Sequence, residues 1–129
     1  MKNKRALFTS ERQNWKTPKR FYEALDQEFF FDFDPCPPNP NFDGLAVEWG
    51  QRNFVNPPYN KIKFWVARAF EQAQKGKLVV MLIPSRTDTR WWHEYVMKAD
   101  EIRFIQGRLS FDDCGRPAPF PSCVVVFRG

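Results

Sequence analysis

The sequence predicts an α/β domain built on one open, mostly parallel sheet. Two patterns carry this expectation. Short apolar runs alternate with helical stripes through the middle of the chain, the order in which strand-helix-strand units follow one another. One run, Leu78-Val79-Val80-Met81-Leu82-Ile83 before Pro84, is apolar without interruption, as a strand covered on both faces must be.

Residues 1–14 are polar and basic, with Lys2, Lys4, Arg5 and Arg12, and read as a flexible arm ahead of a single domain over 15–129. Thr17-Pro18 reads as a helix start, the hydroxyl capping and the proline taking the first helical position. Phe21, Leu25 and Phe29 then recur every four residues along a helix over 18–28. The aromatic run Phe29-Phe30-Phe31-Asp32-Phe33-Asp34 reads as a buried strand that breaks into a rigid loop at Pro35, Pro37, Pro38 and Pro40. A stretch without clear pattern follows, and Asn53-Phe54-Val55 forms a second strand that ends at Asn56-Pro57-Pro58-Tyr59. Ile62, Trp65, Val66, Ala69, Phe70 and Ala73 mark a helix stopped at Lys75-Gly76. Beyond the run at 78–83, residues Thr87 to Lys98 predict a helix and 101–105 and 122–127 predict strands. Between these strands lie a turn at Gly107-Arg108 and a long hairpin-like connection over 112–121.

With 129 residues there is room for one domain, and 43% apolar side chains, 17% of all residues being aromatic, suffice for a packed core. No run reaches the roughly 18–20 apolar residues of a membrane span, and no apolar segment follows Met1-Lys2-Asn3-Lys4-Arg5 as in a secretory signal. A cytoplasmic protein without membrane contact is expected. Cys36, Cys114 and Cys123 lack the spacing of a disulfide framework or zinc knuckle, and the lone His93 argues against a metal centre. The net charge of +5 suits nucleic acid weakly.

Ligands of open α/β sheets collect at the carboxyl ends of the strands. Asp34, Asn56 and Pro84 each close an apolar run, so Asp34, the Asn56-Tyr59 loop and Ser85-Arg86-Thr87 belong on one rim. The loop has the parts needed to methylate an exocyclic aromatic amine, whose lone pair is conjugated into its ring. The Asn56 side-chain oxygen and the Pro57 carbonyl can each accept one N–H, drawing the nitrogen toward tetrahedral geometry as positive charge develops. Pro57 and Pro58 fix the chain direction and remove competing N–H donors. Tyr59 offers a flat face to a base swung out of its stack. A plain turn uses the same residue types; the position after a buried strand and before a strong helix favours chemistry. Asp34 is a solvated strand end or a carboxylate for an ammonium or ribose hydroxyl, Ser85, Arg86 and Thr87 cap the next helix or approach a target base or phosphate, and Arg108 is a phosphate contact or an ion-pair partner. Cys36 has no neighbour that would lower its pKa and reads as packing.

The order and spacing of several separated motifs carry a resemblance. Trp15-x-Thr17-Pro18, Phe31-Asp32-Phe33-Asp34, Asp43-Gly44-Leu45 with Trp49, Asn56-Pro57-Pro58-Tyr59, Pro84-Ser85-Arg86-Thr87-Asp88-Thr89, Phe104-Ile105-x-Gly107-Arg108-Leu109-x-Phe111 and Pro121-Ser122 occur as in phage-type DNA N6-adenine methyltransferases of the Dam family. The chain resembles that family over about residues 15–127. The resemblance implies a reduced Rossmann-like methyltransferase domain, S-adenosylmethionine as donor, and adenine in the DNA of a host-cell cytoplasm as acceptor. It also implies a cofactor site drawn from Trp15, Thr17, Pro18, Asp34, Pro35, Cys36, Asp43 and Asn56, and catalysis by Asn56, Pro57, Pro58 and Tyr59. DNA contacts fall to Ser85, Arg86, Thr87 and Arg108. Asp34 is followed by prolines instead of the Gly-rich turn common in such folds, so Asp43 or Glu48 would have to meet the ribose. With no span for a separate target-recognition domain, sequence specificity is either weak or dependent on the arm, the 112–121 loop or a second subunit, a homodimer being one option. Two other readings stay open: the same transfer to a protein glutamine, RNA or nucleotide, and a non-catalytic binding module of the same fold.

Overall fold

In a computed structural model of the chain, the structure describes residues 16–111 and 117–129. The expected arm over 1–14, Trp15 and residues 112–116 of the long connection lie outside them. Four strands, β1 (Arg52–Val55), β2 (Leu78–Pro84), β3 (Glu101–Phe104) and β4 (Ser122–Phe127), form one sheet in the order β1-β2-β4-β3. The helices are α1 (Lys19–Phe29), α2 (Ile62–Gln74) and a short α3 (Arg90–Glu94).

β1 and β2 pair in parallel, from Arg52 opposite Leu78 to Val55 opposite Met81. β4 is antiparallel to both β2 and β3. One neighbouring pair of the three is parallel, which corrects the expected mostly parallel sheet to a mixed one. The cause lies after β3. Parallel neighbours need a long crossover, usually an α-helix, and no α-helix lies between β3 and β4 among the described residues, so the chain returns antiparallel. Because it returns between β2 and β3, those two and β1 still point the same way.

The strand expected over the aromatic run is also corrected. It is reduced to one parallel bridge, Phe33 with Asn53. α1 ends where Phe30 turns left-handed (φ 54°, ψ 66°), a conformation that costs a bulky residue roughly 1–2 kcal/mol. Three bonds hold the turn: Phe30 N–H to the Asp26 carbonyl (2.8 Å), Phe31 N–H to the Asp26 carboxylate (2.9 Å), and Arg52 Nε to the Phe29 carbonyl (2.5 Å). Pro35 lacks the N–H that would continue a ladder, so between Phe30 and Pro35 little chain is left to pair. The helix expected over Thr87–Lys98 is shorter as well. Thr89 caps it, accepting from Trp92 N–H (3.3 Å), and Val96–Lys98 is a separate 3₁₀ turn.

Helices cover both faces of the sheet. Along β2, Val79, Met81 and Ile83 pack with Trp65, Val66 and Ala69 of α2 and Trp92 of α3, whereas Leu78, Val80 and Leu82 pack with Leu25 and Phe29 of α1. All seven residues of β2 are buried, as the unbroken apolar run predicts, and each large aliphatic among them contributes roughly 1.5–3 kcal/mol. α2 ends as expected at Gly76, whose φ of +91° favours glycine. Among the described residues no helix is long and apolar enough to cross a membrane.

At the amino end of the sheet, a buried lysine ties the irregular chain before β1 to α2 and β2. Lys77 Nζ donates to the Gln72 side-chain oxygen (2.6 Å), the Trp49 carbonyl (2.8 Å) and the Glu48 carboxylate (2.8 Å). The Gln72 oxygen also accepts from Trp49 N–H at 3.2 Å. Lys77 is 6% exposed, so its lost hydration is replaced by these three acceptors. Lys77→Met leaves buried acceptors without a donor and should cost about 2–4 kcal/mol in urea unfolding. Glu48→Gln, at an exposed partner, should cost far less.

Candidate functional site

Because Phe33 bridges Asn53 and β1 runs parallel to β2, Asp34, Asn56 and Ser85 leave the sheet from the same rim. A cleft of about 910 Å³ opens beside the first two, and Thr17, Asp34, Pro35, Cys36, Asp43 and Asn56 line it together. Of the other residues expected at a cofactor, Pro18 is buried at the start of α1 without joining the wall, and Trp15 lies outside the described residues.

The first wall is the proline-rich loop. One Asp34 carboxylate oxygen accepts from Cys36 N–H (2.9 Å) and so starts the loop with a local turn. Burial pushes the Asp34 carboxyl above its ordinary value, against the opposing effect of that bond. Burial, with the Asp34 charge adding, pushes the Cys36 thiol up to about 11, so it stays protonated and is a poor nucleophile.

Asp43 shapes the opposite wall. Its carboxylate accepts from Leu45 N–H (2.9 Å) and its carbonyl from Ala46 N–H (2.9 Å). That turn brings Gly44 against the first wall and α2, where a Cβ would stand 2.0 Å from the Pro35 carbonyl oxygen and 2.6 Å from the Trp65 ring. A side chain has no room there. The Gly44 carbonyl accepts from the Trp49 indole N–H at 2.7 Å, and the Trp49 and Trp65 rings stack at 6.2 Å. Phe42, Lys61 and Trp65 line the cleft although no pattern marked them as site residues, and Gly44, which stands in the Asp43-Gly44-Leu45 motif without an assigned role, lines it too. Their roles come from contacts between distant segments, which spacing along one segment does not reveal.

Asn56 lies between α1 and the loop after β1. Its Nδ2 donates to Thr17 Oγ1 at 3.0 Å across 39 residues of sequence. The expected capping role of Thr17 is thereby corrected: α1 begins at Lys19 with Pro18 as the capping residue and no side-chain cap bond. The Thr17 hydroxyl instead accepts from the Asn56 amide nitrogen and so ties the loop after β1 to the residues ahead of α1.

Pro58 joins the wall, whereas Pro57 is buried and Tyr59 is half-buried outside it. The Tyr59 ring meets Phe120 edge to face at 5.1 Å, and burial drives its phenol well above the ordinary range. The residues expected at DNA stand off the cleft. Ser85 is half-buried with its N–H on the Pro121 carbonyl (2.9 Å), and Arg86, Thr87 and Arg108 are exposed. Among the described residues neither Arg86 nor Arg108 makes an ion pair.

Fold and site define an α/β domain with a cleft at the carboxyl end of β1, beside the Phe33–Asn53 bridge. Residues 4–121 match the family described as DNA N-6-adenine-methyltransferase (Dam), and the chain belongs to that family. It is similar to a DNA N-6-adenine-methyltransferase of Escherichia phage T1, 28% identical over 114 residues that cover 78% of this chain and 48% of the relative. A protein of the same name from Haemophilus phage HP1 (strain HP1c1) is 31% identical over 117 residues, covering 79% of this chain and 68% of the relative. The chain thus spans about half the length of the first relative and about two thirds of the second. No solved structure matches it significantly.

The Asn56 to Thr17 bond can be tested without a ligand. Thr17→Val keeps the shape and removes the acceptor, so unfolding in urea should show a loss of about 1–2 kcal/mol, while Thr17→Ser stays near wild type. Equal stability of all three proteins would show that the hydroxyl does not hold Asn56.

Proposed function

We propose that the chain transfers a methyl group from S-adenosylmethionine to the exocyclic N6 amine of adenine in DNA, using a reduced Rossmann-like domain. The observation that carries this reading is the Asn56-Pro57-Pro58-Tyr59 loop leaving a buried strand, with Asn56 lining the cleft that Asp34 also lines. Family membership and the printed names of the two phage relatives support the same reaction and DNA as its substrate.

The cleft suits the donor chemically. Its size falls within the roughly 300–1,000 Å³ of small-molecule sites. Pro35, Pro37, Pro38 and Pro40 present no N–H donors, so that wall offers carbonyls and the Asp34 carboxylate, which favour a cation over a phosphate. Lys16, Lys19 and Lys61 line the cleft too and supply the complement for a carboxylate. Asp34 would hold the methionine ammonium, a lysine its carboxylate, Asp43 the ribose hydroxyls, and Phe42 or Trp65 the adenine ring. When bound, S-adenosylmethionine supplies a methyl group made electrophilic by its sulfonium.

The remaining work belongs to the chain's own groups. Thr17 holds the Asn56 amide so that Oδ1, an acceptor, meets one N–H of the target amine, and the Pro57 carbonyl takes the other. Both acceptors gain strength as the nitrogen becomes positive, so they stabilise the transition state more than the ground state. No group has to remove a proton before attack, because the proton leaves the methylated nitrogen afterwards. Ser85, Arg86, Thr87 and Arg108 are the proposed contacts to DNA. Tyr59 is the proposed stacking face for the base, and it must give up part of its packing on Phe120 to serve.

Asn56→Ala should lower radiolabelled methyl transfer to DNA by about 10²–10³-fold with the fold retained. Wild-type turnover in that variant would overturn the mechanism, and no calorimetric heat with S-adenosylmethionine would overturn the assignment of the cleft. A second expectation follows from the raised Asp34 pKa. Only the ionised carboxylate attracts the ammonium, so donor affinity should tighten as pH rises through that raised value and level off above it. Asp34→Asn should bind more weakly, with a flat profile over the same range.

A further inference from the structure

Resting on the reading of DNA as substrate, we propose that Phe104 is an aromatic contact to that DNA, stacking against a base a few steps away from the target adenine. Phe104 is 65% exposed, unusual for a phenylalanine at the end of a strand. Its ring stacks on Trp92 (centroids 6.5 Å apart, planes 27° apart), and Trp92 is itself 2% exposed. One face is therefore anchored to the core and the other is open.

The sheet register sets where that open face lies. Pro84 pairs with Ser122, and Ile105 N–H donates to the Ser122 carbonyl, so Phe104 leaves β3 at the level where β2 delivers Ser85 and Arg86. It stands on the same rim as Asn56, three strand positions from β1, or about 14 Å at the usual spacing. Phe104 lies toward the face that α3 covers and Asn56 toward the face that α1 covers, so the DNA would have to cross the rim over both faces, and the roughly four base steps that match this distance are the span along the sheet alone. Charge favours a polyanion there. Arg86 and Arg108 are exposed, and neither makes an ion pair among the described residues. Aromatic side chains on a surface that also carries cations are the groups on which nucleic-acid bases stack.

The test compares wild type, Phe104→Ala, Phe104→Trp and Arg108→Ala for binding to duplex DNA over a salt series, with 2-aminopurine placed in turn at positions flanking the target. Phe104→Ala should weaken DNA binding about 5- to 150-fold, abolish the 2-aminopurine change at one flanking position and leave S-adenosylmethionine binding unaltered. Its slope of log K against log salt should match wild type, because no phosphate contact is lost, whereas Arg108→Ala should make that slope shallower by about 0.9. Phe104→Trp should restore binding. Wild-type DNA affinity in Phe104→Ala overturns this role alone, as does a change in oligomeric state on sedimentation, which would assign the face to a second copy of the chain. A wild-type protein that binds no DNA overturns both this role and the reading on which it rests.

Discussion

The ammonium of Lys77 reaches from the start of β2 to the carbonyl of Trp49 and the side chain of Gln72, and the position of Trp49 governs the cleft. Residues 35–50 contain no helix or strand, so side chains must hold them on the sheet. Trp49 is the pivot of that arrangement. Its carbonyl and N–H are fixed by Lys77 and Gln72, its indole N–H holds the Gly44 carbonyl, and its ring stacks on Trp65 of α2. A second clamp, Asn53, bonds both to Gly50 (2.8 Å to the carbonyl) and to the Leu78 carbonyl (3.0 Å), closing the same segment onto β1 and β2. Lys77 and Asn53 specify one arrangement where apolar contacts alone would tolerate several, although the buried Gln72 side-chain nitrogen has no hydrogen-bond partner among the described residues.

The two rims of the sheet carry different groups. The amino rim of the sheet carries the lysine lock, and the carboxyl rim carries Asp34, Asn56 and the loop from Ser85. Glu48 shows how the lock is biased: Lys77 and Lys75 beside it hold its carboxyl down at about 2, so its ion pairs persist through mild acid and weaken only as the pH falls toward that value. The site at the other rim is biased the opposite way, with Asp34 raised by burial. A carboxylate held at such a cost in hydration gains most from a cationic partner.

Much of this was legible in the sequence, for local reasons. α2 was visible because its buried face repeats at the helical period and Gly76 follows it, and β2 because both its faces are covered. Asp34 and Asn56 could be put on one rim because each closes an apolar run. The features that escaped depend on pairing between distant segments. Nothing near Thr17 indicates that its hydroxyl serves Asn56 instead of its own helix, and both uses look alike to a local pattern. Gly44 is required by the Pro35 carbonyl and the Trp65 ring, which approach it only in the folded chain. Strand order escaped for the same reason: the apolar run of β4 is as continuous as that of β2, so burial on both faces could not show that β4 enters between β2 and β3 in the opposite direction.

The proline-rich loop after Asp34 has a polarity set by its own residues. A Gly-rich turn presents successive N–H groups and suits phosphate, whereas a loop that alternates proline with other residues removes those donors and keeps the carbonyls. Proline also fixes φ, so the acceptors are held in position before a ligand arrives. Gly44, which has no side chain, lets its segment rest directly on the Pro35 carbonyl, so the two stretches of wall are in contact there. Their spacing is maintained by Trp49, and through it by the lysine at the opposite rim.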